Sequence, residues 1–402
     1  MNLARSRIMR VVVNQPNAHV TTFVLQPDVT GGNDNLLVDG APNDQNGSLD
    51  LIQFGGSTIS GTYRSLIKFD LSAIPSNAIV THADIEFTMV LDGTARASQS
   101  GMLLPYPLLR NWTELGSTYN KYDASNNWQT PGAAGVLDAE PLSVGMGDFF
   151  TTDLIGDKKT LVLTPLSVQR WISGTLTNYG FLLKTAIGAN DAYRVASSDH
   201  AIEAYRPKIT VKYTTSRASL LRQITFAGDS KSNENDAWPS LLLDALLTSS
   251  GNIWYENPIR LAVAGYNTQQ LRAYVDANIS TLAGNPEVVL LNIGANDLSG
   301  LTGESTYKTA LSGIVDAYLT KFPATVVYIA YPWRVGYDAA ALTMKGWIDD
   351  VIATYPNRVQ AGHDENVWFK PNIATYSYDG GTHYNMAGSV VCKNQWMTVL
   401  GY

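Results

Sequence analysis

The stretch "QITFAGDSKSN", residues 223–233, lies just beyond the middle of the chain. An apolar run ends there in Gly228, Asp229 and Ser230, three residue types that favour turns. One interpretation is a simple turn, since each residue type fits a turn for its own local reason. The other is a buried strand that presents a serine nucleophile on a glycine hinge at the end of a sheet. The flanking sequence decides between the two.

Beyond residue 220, apolar runs alternate with segments of helical period. The strand-like runs are "LRQITFAG" (221–228), "IRLAVAG" (259–265), "EVVLLNIGAND" (287–297) and "ATVVYIAYP" (324–332). The helical segments cover residues 237–250, 268–283, 305–322 and 339–355. Nearly continuous apolar strands separated by helices indicate a parallel sheet that is covered on both faces. We therefore predict a three-layer α/β/α domain with a mostly parallel sheet over residues 216–402.

Residues 1–215 have a different pattern, that of short β-rich runs separated by Gly, Asn, Asp and Pro. These runs are "RSLIKFDLSAI" (64–74), "NAIVTHADIEFTMVL" (77–91), "KKTLVLT" (158–164), "NYGFLLKTA" (178–186) and "RPKITVKYTT" (206–215). They predict an all-β sandwich. One helix-like segment, "PLSVQRWISG" (165–174), is expected to pack Leu166, Val168 and Trp171 against the core. Residues 31–48, rich in Gly and Asn, are expected to form ordinary loops.

Composition argues against several classes of function. The length of 402 residues predicts two domains, because single cores stop growing near roughly 250–300 residues. A formal net charge of −7 argues against a nucleic-acid binder and against a polybasic membrane anchor. The single cysteine, Cys392, excludes an intrachain disulfide and a cysteine-based zinc site, so we expect it to pack in a core. The histidines lie at no metal-ligand spacing, and His363 is expected at the surface.

The N-terminal residues give no sign of targeting. The first 20 residues contain no apolar segment of the length of a secretion signal. No stretch approaches the roughly 20 apolar residues that a membrane span needs. Charged residues make up only 16% of the chain, a proportion common in proteins exposed outside cells. We expect an extracellular or virion-associated protein that leaves its cell without a visible signal peptide.

The ends of the strand-like runs carry the residues that acyl transfer needs. Ligands of open α/β sheets bind beyond the carboxyl ends of the strands. Three of the predicted strand ends carry Ser230, Gly265 and Asn296, and a segment near the C-terminus supplies Asp379 and His383. Ser230 can serve as nucleophile, His383 as its base and Asp379 as the acid that orients the base. The backbone N–H groups of Ser230 and Gly265 and the Asn296 amide can bind the oxyanion.

Two of these residues have an alternative interpretation. Gly265 is also the residue that a tight strand-to-helix turn would use. Asn296 is also a residue type that caps helices. Asp229 and Asp297, beside the chosen residues, are expected to be structural and to accept backbone N–H bonds where the loops begin.

The segment 222–402 resembles the SGNH, or GDSL-type, hydrolase family. "FAGDSKS" resembles its first block, "AVAGYNT" the second, "IGANDL" the third and "DGGTHYNMAG" the fifth. The resemblance implies a serine esterase with Ser230 as nucleophile, Gly265 and Asn296 as oxyanion donors and His383 as base. It implies no metal and no cofactor.

The last block departs from the family pattern of an acid three residues before the histidine. That position is Gly380, and Asp379 lies four residues before His383. The pair Gly380–Gly381 could absorb the extra residue as a small bulge. The alternative is a Ser–His dyad in which a backbone carbonyl orients the imidazole.

The segment 20–215 resembles the DNRLRE-type β-sandwich, which is similar to carbohydrate-binding jelly rolls. "YRSLIKFDLSAIPSNAIVTHADI" (63–85) is the best-matching stretch. Trp112, Trp128 and Trp171 are expected in the core rather than as sugar platforms. Jelly rolls of this type often hold a structural calcium, for which "TGGNDNLLVDGAPNDQNG" (30–47) could supply oxygen ligands.

Three functions fit these features. The first is an esterase that removes acyl, and most simply acetyl, groups from a carbohydrate. The second is a lipid or small-ester hydrolase, which the lack of a long apolar lid-like segment disfavours. The third is a glycan-binding or viral adhesion protein with a non-catalytic hydrolase fold. Tyr331, Trp333 and Arg334, at a fourth strand end, are predicted to line a substrate cleft, although packing also explains the aromatic residues.

Overall fold

A computed structural model describes most of the chain, namely residues 8–11, 20–27, 33–57, 61–90, 101–185, 192–215, 221–233, 237–250, 252–257 and 259–402. The described residues form two compact units. Those up to residue 215 make the first unit, and those from residue 221 onward make the second. Each unit has a hydrophobic core of its own.

The first unit is built from antiparallel strands and one short helix. The strands are β1 (Ile8–Val11), β2 (Thr21–Leu25), β3 (Asn33–Val38), β4 (Leu51–Ser57), β5 (Gly61–Lys68), β6 (Ile79–Thr88), β7 (Gly101–Pro107), β8 (Gly145–Phe149), β9 (Lys158–Leu163), β10 (Phe181–Thr185), β11 (Ala192–Ala196) and β12 (Lys208–Thr214). The helix is α1 (Pro165–Ile172). It buries Leu166, Val168 and Trp171, as the sequence predicts.

These strands form one curled sheet. Its order is β1-β2-β12-β6-β9-β8-β7-β10-β5-β4-β11, and β3 pairs with β5. Strand β8 pairs with both β9 and β7 and so joins the two halves of the sheet. An isolated bridge from Met89 to Val195 links the end of β6 to β11. The predicted antiparallel β domain is confirmed, as a single sheet curled around its core.

Side-chain alternation explains how the curled sheet buries one face. In β12, Ile209, Val211 and Tyr213 are buried, whereas Thr210 and Lys212 between them are half-buried. The three tryptophans Trp112, Trp128 and Trp171 are 9% exposed or less, which confirms that they belong to the core. The expectation of loops over residues 31–48 is wrong for its first part. Residues 33–38 form β3, whose Leu36 and Leu37 are buried.

Asp34, within the segment that could supply calcium ligands, makes a contact with the protein backbone. Asp34 is 2% exposed, and its Oδ2 accepts the Ser198 N–H at 2.7 Å. Burial raises the pKa of Asp34 to about 7. The hydrogen bonds from Ser198 lower the pKa, but the effect of burial is larger. Across the described residues, no group of three or more His, Cys, Asp or Glu side chains is arranged to hold a metal ion.

The second unit alternates parallel strands with helices. Its strands are β13 (Leu221–Gly228), β14 (Ile253–Glu256), β15 (Leu261–Ala262), β16 (Val288–Asn292), β17 (Val326–Tyr331) and β18 (Val359–Asp364). Its helices are α2 (Trp238–Ser250), α3 (Thr268–Asn278), α4 (Ala295–Gly300), α5 (Glu304–Lys321), α6 (Asp338–Ala353), α7 (Glu365–Trp368), α8 (Ile373–Tyr376) and α9 (Met386–Val399). Short 3₁₀ turns cover residues 230–232, 279–281 and 370–372.

The sheet of the second unit is parallel, with the order β14-β13-β16-β17-β18 and with β15 on β13. All five residues of β16 are buried, so helices cover both faces of the sheet. The predicted α/β domain with a parallel sheet is confirmed. The sequence analysis did not predict β14 or β18. In the described residues, none of the helices has the length and apolar character that crossing a bilayer requires.

The direction in which successive strands are added to the sheet reverses at β13. From β13 the chain proceeds to β14 and β15 on one side of β13, and it then crosses to β16 on the other side. Such a switch point opens a crevice at the carboxyl ends of the two strands. At this point Gly228 pairs with both Ala262 and Asn292, so three strand ends meet.

His363 is buried, contrary to the surface position expected for it. It lies in β18 and is only 3% exposed. Its Nδ1 accepts the Trp368 Nε1–H at 3.2 Å, and its Nε2 lies 3.6 Å from Cys392 Sγ. Burial lowers the pKa of His363 to about 4, so the ring is neutral near neutral pH. Cys392 is buried beside it, as expected for a packing residue.

Replacing Gly228 by alanine should destabilise the second unit by about 2–4 kcal/mol. Gly228 has φ +147°, and a Cβ there would lie 2.0 Å from the Asn292 carbonyl oxygen. Gly346→Ala is the matched control, because Gly346 lies in α6 with open space around it. The control should stabilise by roughly 0.5–1 kcal/mol through helix propensity. Calorimetric unfolding of both variants tests the pair, and equal effects would contradict the steric account.

Candidate active site

Ser230 lies directly beyond the carboxyl end of β13. Asp229 caps the 3₁₀ turn that follows, and its Oδ1 accepts the Lys231 backbone N–H at 3.0 Å. This turn leaves Ser230 half-buried, whereas Asp229 and Lys231 are fully buried. The sharp turn after a buried strand therefore holds the Ser230 hydroxyl at the edge of the sheet.

Ser230, His383 and Asp379 form a continuous hydrogen-bonded chain. His383 Nε2 lies 2.7 Å from Ser230 Oγ, and His383 Nδ1 lies 2.6 Å from Asp379 Oδ2. An ionised carboxylate only accepts hydrogen bonds, so Nδ1 carries the proton and Nε2 is free to accept the serine proton. The side chains of His383 and Asp379 remain 26% and 30% exposed, so water can reach the pair.

The loop before His383 accommodates the additional residue between acid and base. Gly380 and Gly381 have φ values of +81° and +127°, which side chains rarely adopt. Within this loop, Asp379 Oδ1 accepts the backbone N–H groups of Thr382 and His383, at 2.9 and 3.0 Å. The acid is thus held by the backbone of the loop that carries the histidine.

The Asp379 carboxylate remains ionised across the neutral range. Partial burial raises its pKa, but the hydrogen bonds from the His383 imidazole and from the His383 and Thr382 backbone lower it further. The net result is a pKa well below the usual value. Asp379 can therefore hold the histidine in one tautomer without titrating itself.

Asp229 titrates in a different range from Asp379. It is fully buried, and burial raises its pKa to about 6, although the Lys231 ammonium and backbone N–H lower it. Its bond to the Lys231 backbone matches the structural role expected for it. Asp297 is also buried and accepts the backbone N–H and hydroxyl of Thr268, at 2.9 and 2.8 Å.

Gly265 and Asn296 lie together beside the switch point. Gly265 follows β15 with φ +81°, and a side chain there would meet only open space. Asn296 lies in the first turn of α4, after β16. Its Nδ2 donates to the carbonyl of Tyr266, the neighbour of Gly265, at 3.0 Å. The second Nδ2 proton is left for another acceptor.

Arg334 orients the Asn296 amide. Its Nη1 donates to Asn296 Oδ1 at 3.1 Å and to Ser299 Oγ at 3.2 Å. Because a guanidinium only donates, this contact identifies the oxygen end of the amide and directs the nitrogen end away from Arg334. The sequence suggested a substrate-binding role for Arg334 and missed its contact with Asn296.

Tyr331 and Trp333 lie at the end of β17 and just beyond it, as expected, but both side chains are buried. They are 7% and 3% exposed and pack in the core of the second unit. Tyr331 Oη donates to Asp349 at 2.5 Å, and Trp333 Nε1 donates to Asp338 at 2.7 Å. Buried and hydrogen-bonded in this way, the two side chains do not fit the predicted role of lining a cleft.

Other side chains, which sequence reasoning did not select, lie close to the catalytic candidates. Tyr378 is 42% exposed, and its ring stacks 5.7 Å from the His383 ring at 19°. Lys231, next to Ser230, forms a buried ion pair with Glu365. A lysine that directly follows a strand-end serine is a visible signal in the sequence, whereas nothing local distinguishes Glu365.

Two family models match the chain. Residues 223–390 match the GDSL-like lipase/acylhydrolase family, and residues 34–211 match the disaggregatase related repeat domain. The second unit contains a GDSL-like lipase/acylhydrolase domain. The first is a disaggregatase-related repeat β domain. The predicted SGNH resemblance is thereby confirmed. No curated protein matches the chain.

Several solved structures are similar to parts or most of the chain. A family 3 carbohydrate esterase from Clostridium thermocellum is 21% identical, with 44% of this chain and 94% of that chain covered and a TM-score of 0.38. A family two carbohydrate esterase from the same organism, solved with cellohexaose, is 12% identical, with 91% and 98% covered and a TM-score of 0.35. A family two carbohydrate esterase from Cellvibrio japonicus is 11% identical, with 92% and 97% covered and a TM-score of 0.36.

Asp379→Asn should lower kcat for p-nitrophenyl acetate by about 10²–10⁴-fold, with the fold retained. An amide can donate to Nδ1, and it then stabilises the wrong tautomer of His383. Asp276→Asn, which removes a carboxylate from an exposed surface pair with Arg272, is the control and should leave kcat unchanged. If Asp379→Asn retained full activity, His383 would depend on another group, as in the dyad alternative.

Proposed function

We propose that the protein hydrolyses carboxylic esters through an acyl-enzyme intermediate on Ser230. The hydrogen-bonded chain from Asp379 through His383 to Ser230 carries this proposal. Such a chain supplies a nucleophile, a base and an orienting acid within hydrogen-bond distance of one another. The match of residues 223–390 to an acylhydrolase family supports the same chemistry.

In the proposed mechanism, His383 Nε2 takes the proton of Ser230 Oγ as the oxygen attacks the ester carbonyl. The negative charge develops on the former carbonyl oxygen, facing the N–H groups of Ser230 and Gly265 and the free Nδ2 proton of Asn296. His383 then gives its proton to the departing alcohol. A water molecule, deprotonated by His383, then attacks the acyl-enzyme, and His383 passes that proton to Ser230 Oγ as the carboxylic acid leaves. The sum is one ester and one water converted to one acid and one alcohol.

We further propose that the ester is an acetyl group on a carbohydrate. The acid–base pair is partly exposed, so a bulky alcohol such as a polymer can approach it. The exposed Tyr378 ring beside His383 offers an aromatic face of the kind on which sugars pack. The sequence resemblance of the first unit to carbohydrate-binding jelly rolls supports the same substrate class. A protein with this substrate would act outside cells or on a virus particle.

Ser230→Ala should abolish p-nitrophenyl acetate hydrolysis by the site, because it removes the hydroxyl that attacks the ester in the proposed mechanism. In the wild type the rate should fall as the pH drops below neutrality, since a protonated His383 cannot accept the serine proton. Asp379 does not cause this fall, because its pKa lies well below the usual carboxyl value. The fall should persist in Asp229→Asn, which removes the carboxyl with a pKa of about 6. Equal hydrolysis by wild type and Ser230→Ala would contradict the mechanism.

The choice of substrate is tested by offering two esters to the wild type. Acetate release from an acetylated polysaccharide should be at least tenfold faster, in kcat/KM, than release of a long-chain fatty acid from its p-nitrophenyl ester. Acetate release is measured with an enzyme-coupled assay, and p-nitrophenol release is measured by absorbance. Faster release of the fatty acid would favour the lipid-hydrolase alternative. Binding of the polysaccharide without turnover of either ester would favour the adhesion alternative.

A further inference from the structure

A buried carboxylate that the proposed mechanism does not use lies beneath the site. Glu365 is the first residue of α7 and directly follows β18. Its side chain and that of Lys231 are both fully buried, and Glu365 Oε2 lies 2.5 Å from Lys231 Nζ. Burying charged groups is costly unless they are paired and fully hydrogen-bonded. The pair therefore calls for a physical explanation.

Both oxygens of the carboxylate accept hydrogen bonds. Oε2 accepts from Lys231 Nζ and from the Trp333 backbone N–H, which lies at 2.8 Å. Oε1 accepts from the Tyr384 hydroxyl and, at 3.4 Å, from Asn292 Nδ2. Lys231 Nζ donates a further bond to the Trp333 carbonyl at 2.8 Å. One carboxylate therefore connects four segments of the chain.

Three of these donor residues are direct sequence neighbours of site residues. Lys231 follows Ser230, and Tyr384 follows His383. Trp333 precedes Arg334, which holds the Asn296 amide. The segments that carry the nucleophile, the base and the oxyanion amide are thus tied to the same buried group.

An apolar side chain could fill the same volume but could not make these bonds. Replacing a buried ion pair by apolar residues of similar volume is often neutral or stabilising, so stability is a weak reason for such a pair. A stronger reason for the pair is that it holds the segments bonded to it in a fixed geometry. The Lys231 ammonium lies 5.3 Å and 5.6 Å from the ring centroids of Phe369 and Tyr384, which leaves it little freedom to move.

We propose that Glu365 and Lys231 are positioning residues that set the distance between Ser230 and His383. This proposal rests on the proposed esterase function, since it assigns the pair a role in that reaction. Neither residue is assigned a contact with substrate. The pair fixes the backbone on either side of the reacting atoms, where a displacement of about 1 Å can lower a rate about 10²-fold.

The test compares two neutral double variants of the full-length protein. Lys231→Met/Glu365→Gln removes both charges of the pair at once, so neither partner is left behind as an uncompensated buried ion. Lys159→Met/Asp153→Asn is the matched control, because it removes an ion pair of 2.8 Å whose side chains are 11% and 8% exposed, in the first unit. Thermal unfolding establishes that both variants fold.

The expected result is a fall in kcat for p-nitrophenyl acetate of about ten- to hundredfold in Lys231→Met/Glu365→Gln. KM should change less than threefold, because neither residue is assigned a contact with the substrate and ground-state binding should be retained. The control should match the wild type. A folded Lys231→Met/Glu365→Gln with the kcat of the wild type would overturn the proposal.

Tyr384→Phe provides a second, gentler variant. It keeps the ring packed between Trp368 and Phe369 and removes only the hydroxyl that donates to Glu365. It should lower kcat roughly three- to tenfold without lowering the unfolding temperature by more than a few degrees. Wild-type kcat in this variant would count against the proposal even if the double variant failed to fold.

A readout independent of turnover separates the two proposals. The proton on His383 Nδ1, in its short bond to Asp379, should give a low-field ¹H NMR signal that His383→Ala removes. In Lys231→Met/Glu365→Gln and in Tyr384→Phe this signal should shift or broaden, and in the control it should not. If the wild type gave the signal but hydrolysed no ester, the esterase proposal would fail. The NMR signal alone would then decide the positioning proposal, and an unchanged signal would overturn it.

Discussion

The hydrogen bond between His383 Nε2 and Ser230 Oγ joins residues 153 positions apart, and the parallel sheet makes this contact possible. Parallel strands end at one edge, and the residues that follow them meet there. Ser230 follows β13 and Asn296 follows β16, on the two sides of the switch point. Gly228 permits the close approach of these strands because it has no side chain to meet the Asn292 carbonyl. The site thus depends on where three strands end.

The charges of the site fall into an exposed set and a buried set. Asp379 and His383 remain partly open to water, as the proposed deacylation requires, and backbone N–H groups hold Asp379 in place. Lys231 and Glu365 are fully buried and bond to the neighbours of the reacting residues. In the proposed account the exposed set carries out proton transfer, and the buried set determines where the proton is transferred.

Much of the fold follows from local pattern. Continuous apolar runs predict β13, β16 and β17, and helical period predicts α2, α3, α5 and α6, because each pattern reflects burial on a regular element. The sequence pattern does not predict β3, because its Asn and Asp residues are typical of loops. In the structure, pairing with β5 orders them as a strand. Ser230 and His383 could be selected because they lie in family-like blocks. The contacts of Arg334 with Asn296, and of Lys231 with Glu365, join residues 38 and 134 positions apart and leave no local pattern.

Covalent trapping shows whether Ser230 is a nucleophile that His383 activates. A fluorophosphonate reacts with a serine that a neighbouring base activates, and peptide mass spectrometry locates the adduct. We expect a single adduct on the peptide that contains Ser230, formed rapidly by the wild type and not by a folded His383→Ala variant. An adduct on another residue, or equal labelling of Ser230 without His383, would rule out the proposed catalytic chain.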